Sequence, residues 1–395
     1  MKCKLTDICT KIGSGATPRG GKEAYCDKGI SLVRSQNVLD FTFSHDGLAF
    51  INNEQATKLN NVEVFDGDVL LNITGDSVAR ACIMDSAFLP ARVNQHVAII
   101  RGKKDCILNR YLLYFLQWRK GYLLQLASAG ATRNALTKGM IEQLEIDLPP
   151  LDEQKRVVAL LGALDDKIEL NNKINENLER QAQAFYQELF INNADPEWRQ
   201  GTISDLGTVV GGSTPSKSKP EYYTENGIAW ITPKDLSVNK SKFISRGEND
   251  ITELGLKNSS ASIMPEGTVL FSSRAPIGYI AIAAGEVTTN QGFKSVVPKL
   301  EIGTAFVYYF LKHNLPIIEG MASGSTFKEV SGSTMKRVPA VIPDSETLIR
   351  FNDFCKPIFA QQQILEEQNQ SLAALRDSLL PKLMSGEIDV ENINF

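Results

Sequence analysis

Residues 1–150 and 197–343 are built from short apolar runs separated by turns rich in Gly, Ser, Thr and Asn. Val69–Ile73, Val97–Ile100, Val269–Ser272 and Tyr279–Ala283 have the length and character of strands. The spacing of apolar positions predicts a helix over Asn109–Leu126 and its counterpart near Ala305–His313. The pattern changes at 151–196 and 344–395, where glycine nearly disappears and the apolar period becomes helical. In the first of these segments Leu161, Ile168, Asn175, Ala182 and Leu189 stand seven apart, with Leu164, Asn171, Leu178 and Phe185 as a companion row. In the second, Ile358, Leu365, Leu372 and Leu379 repeat at seven. These are heptad seams. A polar Asn in a seam fixes register, so each seam is expected to meet a specific partner helix. Leu164, Leu178 and Phe185 are expected to pack, antiparallel, on Leu365, Leu372 and Leu379. Pro149-Pro150 ahead of Asp152-Glu153, and Pro343 ahead of Asp344-Ser345-Glu346, mark the helix starts. Gly162 and Pro357 are expected to break each helix into a short first piece and a long second piece.

The chain also repeats itself. Gly13-Ser14-Gly15-Ala16-Thr17-Pro18 returns as Gly211-Gly212-Ser213-Thr214-Pro215, and Gly67-Asp68-Val69-Leu70 as Gly267-Thr268-Val269-Leu270. Asn94-Gln95 returns as Asn290-Gln291, Tyr114-Phe115-Leu116 as Tyr309-Phe310-Leu311, and the loop Ser128–Thr132 as Ser323–Thr326. Leu148-Pro149 returns as Ile342-Pro343, and every offset lies between 194 and 200. Matches in this order imply two copies of one unit, each a β-rich lobe followed by a helical segment.

Composition removes several classes. No run of 18 apolar residues exists, so no membrane span is expected. Met1 to Gly15 is polar and has no signal-peptide core. Six cysteines without a Cys-x-x-Cys pair, and only three histidines, disfavour disulfide scaffolds and zinc modules and fit a reducing cytoplasm. The net charge of −4, taken whole, speaks weakly against a nucleic-acid partner. The charge is segregated, however. Residues 1–150 carry 18 basic and 15 acidic side chains (+3), and 197–343 carry 15 and 13 (+2). The helical segments carry 5 and 9 (−4), then 4 and 9 (−5). Mildly basic lobes suit a polyanion. Long exposed helices rich in Glu and Asp would give the same split without one.

Catalytic signatures are missing. Gly15 to Glu23 superficially suggests a phosphate loop, but that motif needs Gly at 16 and Ser or Thr at 23, where Ala16 and Glu23 stand. A turn that positions basic side chains fits better. Leu148-Pro149-Pro150-Leu151 lacks the hydrogen-bonding and stacking side chains of a base-extruding amino-methyltransferase loop. His45, His96 and His313 are scattered, and copy two has Gly292 where copy one has His96, so a structural histidine is expected there. The two copies share no acid–base pair, and no metal ligand set is expected. The chain reads as a binding protein.

Both copies place polar and basic residues beside strand ends. In copy one these are Arg19, Lys22, Arg34, Gln36, Asn37, Asn72, Thr74, Arg80, Asn94, Gln95, Arg133 and Asn134. In copy two they are Lys217, Lys219, Lys234, Asp235, Ser272, Ser273, Arg274, Asn290, Gln291 and Lys328. Such side chains read base edges and hold phosphates. The repeated Asn-Gln pair and the Ser-x-Gly-x-Thr loop have a plain alternative as structural turns. Residues that differ between copies, Thr74 against Arg274 above all, are the better candidates for sequence readout. Arg274 has its own alternative, a surface ion pair with a nearby carboxylate.

Over essentially its whole length the chain resembles the specificity subunit of type I restriction–modification enzymes, and three segments carry the resemblance. These are Gly-Ser-Thr-Pro (212–215) with Gly-Ile-Ala-Trp-Ile (227–231), Leu-Pro-Pro-Leu-Asp-Glu-Gln-Lys-Arg (148–156), and Leu-Arg-Asp-Ser-Leu-Leu-Pro-Lys-Leu-Met-Ser-Gly-Glu-Ile (375–388). The second copy departs at Pro343-Asp344-Ser345-Glu346-Thr347, which lacks the Glu-Gln-Lys-Arg run. The first departs at 29–34, which has no Trp. The resemblance implies an α+β fold: two duplicated target-recognition domains, each a twisted, mostly antiparallel β-sheet with small helices, separated by two long antiparallel coiled-coil helices. Target-recognition domain 1 would span 1–150, the central conserved helix 151–196, domain 2 197–343, and the C-terminal conserved helix 344–395. It further implies a non-catalytic subunit. Each lobe would read one half of a split double-stranded DNA target. The helices would act as spacer and bind two methylation subunits, with restriction or translocase subunits as additional partners. No cofactor is expected in this chain; the methyl donor, and ATP where restriction subunits are present, belong to the partners. Ala163–Phe190 and Pro357–Leu380 would be roughly 42 Å and 36 Å long at about 1.5 Å per residue, close to the roughly 34–36 Å of one DNA turn. The competing readings are a coiled-coil scaffold with two protein- or glycan-binding lobes and no DNA, and a self-contained methyltransferase or restriction enzyme, which would need a methyl-donor pocket.

Overall fold

The structure is a computed structural model of the chain and describes residues 2–128, 134–324 and 328–390. It divides into two compact units, Met1–Ile168 with Ser371–Phe395, and Glu169–Gln370. The division cuts both long helices, so each lobe keeps part of each helix in its own unit.

In the first unit one antiparallel sheet runs in the order Cys9–Ser14, Val97–Gly102, Val69–Asn72, Ala81–Ile83. A second runs Ala49–Ile51, Ile30–Val33, Ala91–Val93, Glu63–Val64, with one parallel pair between Ile30–Val33 and Ala91–Val93. The second unit repeats the plan. Gly207–Gly211, Lys294–Pro298, Val269–Ser273 and Ile277–Ala283 form the counterpart of the first sheet, extended by Phe243–Ile244. Tyr223–Thr224, Asn249–Ile251, Ile228–Ile231 and Thr288–Thr289 form the counterpart of the second. The sequence duplication is thus a duplication of fold, α+β with mostly antiparallel sheets.

The apolar runs are continuous because their strands are covered on both faces. Val69 and Leu71 pack with Tyr111, Leu112 and Phe115 of the helix Asn109–Trp118. Leu70, pointing the other way, packs with Leu32 and Val33 of the second sheet. The same alternation places Val269 and Phe271 against Phe306 and Phe310 of the helix Thr304–His313, and Leu270 against Ile231 and Phe293. Gly67 and Gly267, just ahead of these strands, have φ of 77° and 81°, a left-handed turn that glycine adopts without strain.

The first long helix runs unbroken over Leu151–Gln187, 37 residues, and the second over Ser345–Met384, 40 residues. At about 1.5 Å per residue these are roughly 55 and 60 Å long. The expected breaks at Gly162 and Pro357 do not occur. Gly162 instead makes room for a side chain: a Cβ there would lie 3.1 Å from the Arg110 guanidinium, which donates to the Gly162 carbonyl at 3.2 Å and to Asp166 at 2.6 Å. Pro357 is exposed, while Phe351, Cys355 and Ile358 on the opposite face are buried, and that packing carries the helix through the missing N–H. The Asp344 carboxylate caps the second helix, accepting the Thr347 N–H at 2.8 Å.

The two long helices pair, and Phe185 meets Phe351 and Phe354 rather than the expected leucines. In the second unit the Asn171 amide donates to Asn369 at 2.9 Å, Gln362 donates to the Asn175 carbonyl at 3.2 Å, and Phe185 packs on Phe354 with centroids 4.5 Å apart and rings tilted by 54°. One helix ascends as the other descends, so the pair is antiparallel. In the first unit Arg376 donates to Asp165 at 3.0 Å. Leu365 is buried and Leu164, Leu178 and Phe185 are half-buried; Leu372 is half-buried rather than enclosed, as is Leu379. The polar Asn layer and the Arg376–Asp165 pair occupy seam positions that a hydrophobic coiled coil would fill with leucine. Among the described residues no helix is long and apolar enough to cross a membrane.

Candidate functional site

In each lobe the repeated motifs meet at one corner. A Cβ on Gly15 would sit 2.0 Å from the Val93 carbonyl oxygen, and one on Gly212 would sit 2.0 Å from that of Asn290, so only glycine fits either position. The Thr17 hydroxyl donates to Gln95 at 2.9 Å, and the Thr214 hydroxyl donates to Gln291. The Asn94 and Asn290 side chains accept the backbone N–H two residues on, from His96 at 3.0 Å and Gly292 at 2.8 Å. Gly, Thr-Pro and Asn-Gln therefore form a locked turn.

Around this corner lobe one commits several polar side chains to hydrogen bonds with its own loops. Asn37 and Asn72 are buried: the Asn37 amide donates to the Ser44 and Asp46 carbonyls at 2.9 and 3.2 Å, the Asn72 amide to those of Ser35 and Val38 at 2.9 and 3.1 Å. Both knit loops together. Arg34 and Gln36 donate to the Gly47 carbonyl at 2.5 and 3.1 Å. The Thr74 hydroxyl lies 2.7 Å from Nδ1 of His96. Arg19, Gln95 and Asn134 are exposed, and Arg80 is half-buried. Arg133 lies outside the described residues, as do the side chain of Lys22 and most of the two Ser-x-Gly-x-Thr loops.

Lobe two opens into a groove of about 1080 Å³. Lys217, Lys234, Arg274 and Lys328 reach it from four segments of the chain, with Asp235, Asn290, Gln291 and Trp230 also in its lining. Lys217 and Lys328 are exposed. Lys234 pairs with Glu248 at 2.6 Å, and Arg274 with Glu329 at 3.6 Å. The Lys234–Glu248 pair is exposed and worth little, so Lys234 is free to turn to an incoming anion. Asp235 is committed locally: its carboxylate accepts the N–H groups of Thr232 at 2.7 Å and Glu248 at 2.8 Å. Ser272 and Ser273 are buried, donating to the carbonyls of Pro276 at 2.8 Å and Gly292 at 3.0 Å, and so shape the strand end beside Arg274. Lys219 lies outside the lining, 3.7 Å from Glu221.

Two residues of this region escaped the sequence reading. Lys294, half-buried, places its ammonium 3.4 Å from Glu329. Laying the copies side by side at every strand position, rather than only at motifs, would have found both. A second set was also missed. Glu179 takes ion pairs from the buried Lys242 and, at 2.6 Å, from Lys312, while Tyr309 donates to it at 2.9 Å. Burial opposes the charge on Glu179, but the two ammonium groups outweigh it and hold the carboxyl down to about 2. These partners are far apart in sequence, which is why periodicity did not reveal them.

A profile of the type I restriction modification DNA specificity domain matches residues 1–180 and again residues 196–375. The chain belongs to this family. Each match covers one lobe with much of the helix that follows it. The MjaIX type I restriction enzyme specificity subunit of Methanocaldococcus jannaschii is 41% identical over 191 residues, 46% of this chain and 44% of that protein. The HindI specificity subunit of Haemophilus influenzae is 22% identical over 439 aligned residues, spanning 91% of this chain and 94% of its own. Among solved structures, the type I S subunit from M. genitalium superposes with a TM-score of 0.58 at 15% identity, covering 97% of this chain and 95% of that one. That likeness is one of fold.

Proposed function

We propose that the chain is the DNA-recognition subunit of a type I restriction–modification complex. Each lobe reads one half of a bipartite duplex target, and the paired helices join the lobes and recruit two methylation subunits. The observation that carries the reading is the groove of lobe two, where four cationic side chains from separate segments converge around hydrogen-bonding Asn290 and Gln291. Cations fix register on phosphates while amides and a guanidinium read base edges. The chain itself performs no chemistry. The methyl donor is carried by the methylation subunits, and ATP by restriction subunits where these join.

Binding of the full chain with its methylation subunits to duplex DNA, measured by competition at two salt concentrations, tests the reading. Specific binding that weakens steeply with salt is expected. Binding that ignores salt, or a complex that prefers a protein or glycan ligand to DNA, would overturn it. Methyl-donor binding by the chain alone would contradict its assignment as a non-catalytic subunit.

A further inference from the structure

The two lobes differ in a coordinated way at one place. The Val330 N–H donates to the Ser273 carbonyl at 3.0 Å, and the Leu136 N–H donates to that of Ile73 at 2.8 Å, so the strand ends correspond. Arg274 therefore stands where lobe one has Thr74, and Glu329 where it has Ala135. The register Gly211↔Lys294 likewise matches Ser14↔Ala98, which sets Lys294 opposite Ala98. Three positions that are neutral in lobe one are Arg, Lys and Glu in lobe two. They are in contact: Glu329 lies 3.6 Å from Arg274 on one side and 3.4 Å from Lys294 on the other. Lys294 also reaches the Ser273 hydroxyl at 3.4 Å and the Gln291 carbonyl at 3.3 Å, so it is anchored to the corner. The Glu329 backbone is fixed too, exchanging hydrogen bonds with Ser323 at 2.9 and 3.1 Å.

We infer that Glu329 is a positioning residue that aims Arg274 at a guanine in the half-site read by lobe two, with Lys294 holding the Glu329 carboxylate. The inference rests on the proposed function and deepens it. Glu329 lies 3.6 Å from one Nη of Arg274, outside the groove lining that Arg274 itself belongs to, so the rest of the donor fork is left for a ligand in the groove. That fork matches the O6 and N7 acceptors of guanine and no other base edge as well. Without Lys294, Glu329 would compete with the DNA for Arg274 as an unanchored anion. Lobe one has Thr74 on His96 in place of Arg274.

The target is first mapped as methylated bases in a host carrying the chain with its methylation subunits. Absence of any bipartite target would defeat the proposed function itself. A target whose lobe-two half lacks a G·C pair would defeat only this inference. Affinities of the purified complex for the cognate duplex and for single-base variants then follow. Arg274→Ala is expected to lose about 5- to 150-fold discrimination at one G·C position. Glu329→Gln should lose discrimination at that same position without weakening non-cognate binding, since it removes a negative charge from a basic groove. Added to Arg274→Ala, Glu329→Gln should change discrimination no further. If Glu329→Gln raises affinity equally for all duplexes, or lowers cognate and non-cognate binding alike, Glu329 does not act through Arg274. Rescue by Glu329→Asp to an intermediate level supports the positioning role; a variant with wild-type discrimination and no carboxylate would end it.

Discussion

Lobe one and lobe two share a corner and differ in what surrounds it. The corner is fixed by backbone geometry: glycines that nothing larger can replace, and Thr–Gln and Asn–backbone hydrogen bonds repeated in both. At the strand end beside it lobe one has Thr74 on His96, where lobe two has Arg274, Glu329 and Lys294. The links to the helices differ as well. In the first unit Arg376 of the second long helix pairs with Asp165 and lies over the Phe41 ring at 3.7 Å, while Arg110 of the lobe pairs with Asp166 of the first long helix at 2.6 Å. In the second unit Glu179 is the helix anion, and Lys242 and Lys312 come from the lobe. A framework that tolerates such differences lets contact residues change without disturbing the fold, as the proposed reading of two unlike half-sites requires.

The seams offer the largest effect with which to sharpen this comparison. Phe351, fully buried among Phe185, Tyr186, Phe190 and Tyr309, anchors the second unit. Phe351→Ala should cost about 3–5 kcal/mol in denaturant titration. Leu372→Ala, in the half-buried seam of the first unit, should cost clearly less, about 1–2 kcal/mol. Equal losses would show that the two seams are packed alike.

Acid should act next, and through the second unit. Glu179 is held at about 2, below an ordinary carboxyl, so its ion pairs add stability above roughly pH 4.5 that is lost as pH falls toward 2. That shift corresponds to roughly 3 kcal/mol as an order of magnitude. Glu179→Gln should lower stability at neutral pH and flatten the decline below pH 4.5. A variant that keeps the wild-type acid decline would assign it to other carboxylates.

The shared corner gives the smallest difference between lobes. Gly15→Ala and Gly212→Ala force the same clash and should each cost at least about 1–3 kcal/mol. One silent substitution would mean that the corners are not equivalent.

The duplication, the strand runs and the heptad seams were legible because each leaves a period or an ordered repeat in the sequence. The antiparallel pairing was legible from Asn171 and its seam, since a polar residue at a heptad position needs a partner. Helix continuity was not: Gly162 and Pro357 carry local preferences for interruption, and burial of Leu161 and Cys355 beside them overrides those preferences. The site was legible in part. Lys217, Lys234, Arg274 and Lys328 could be chosen by residue type, and the fold gathers them in one groove. Asn37, Asn72, Ser272 and Ser273 were chosen by the same rule and are buried in loop hydrogen bonds, because residue type does not tell a donor facing out from one facing in. Glu329 was invisible as a lone carboxylate and acquires meaning only beside Arg274.

The central claim is that the two lobes read their half-sites independently. It is tested most directly by exchanging residues 197–343 for the second lobe of another family member and mapping methylated bases in a host that carries the methylation subunits. The account predicts a target in which the lobe-two half changes and the lobe-one half is unaltered. A target in which both halves change together would contradict it.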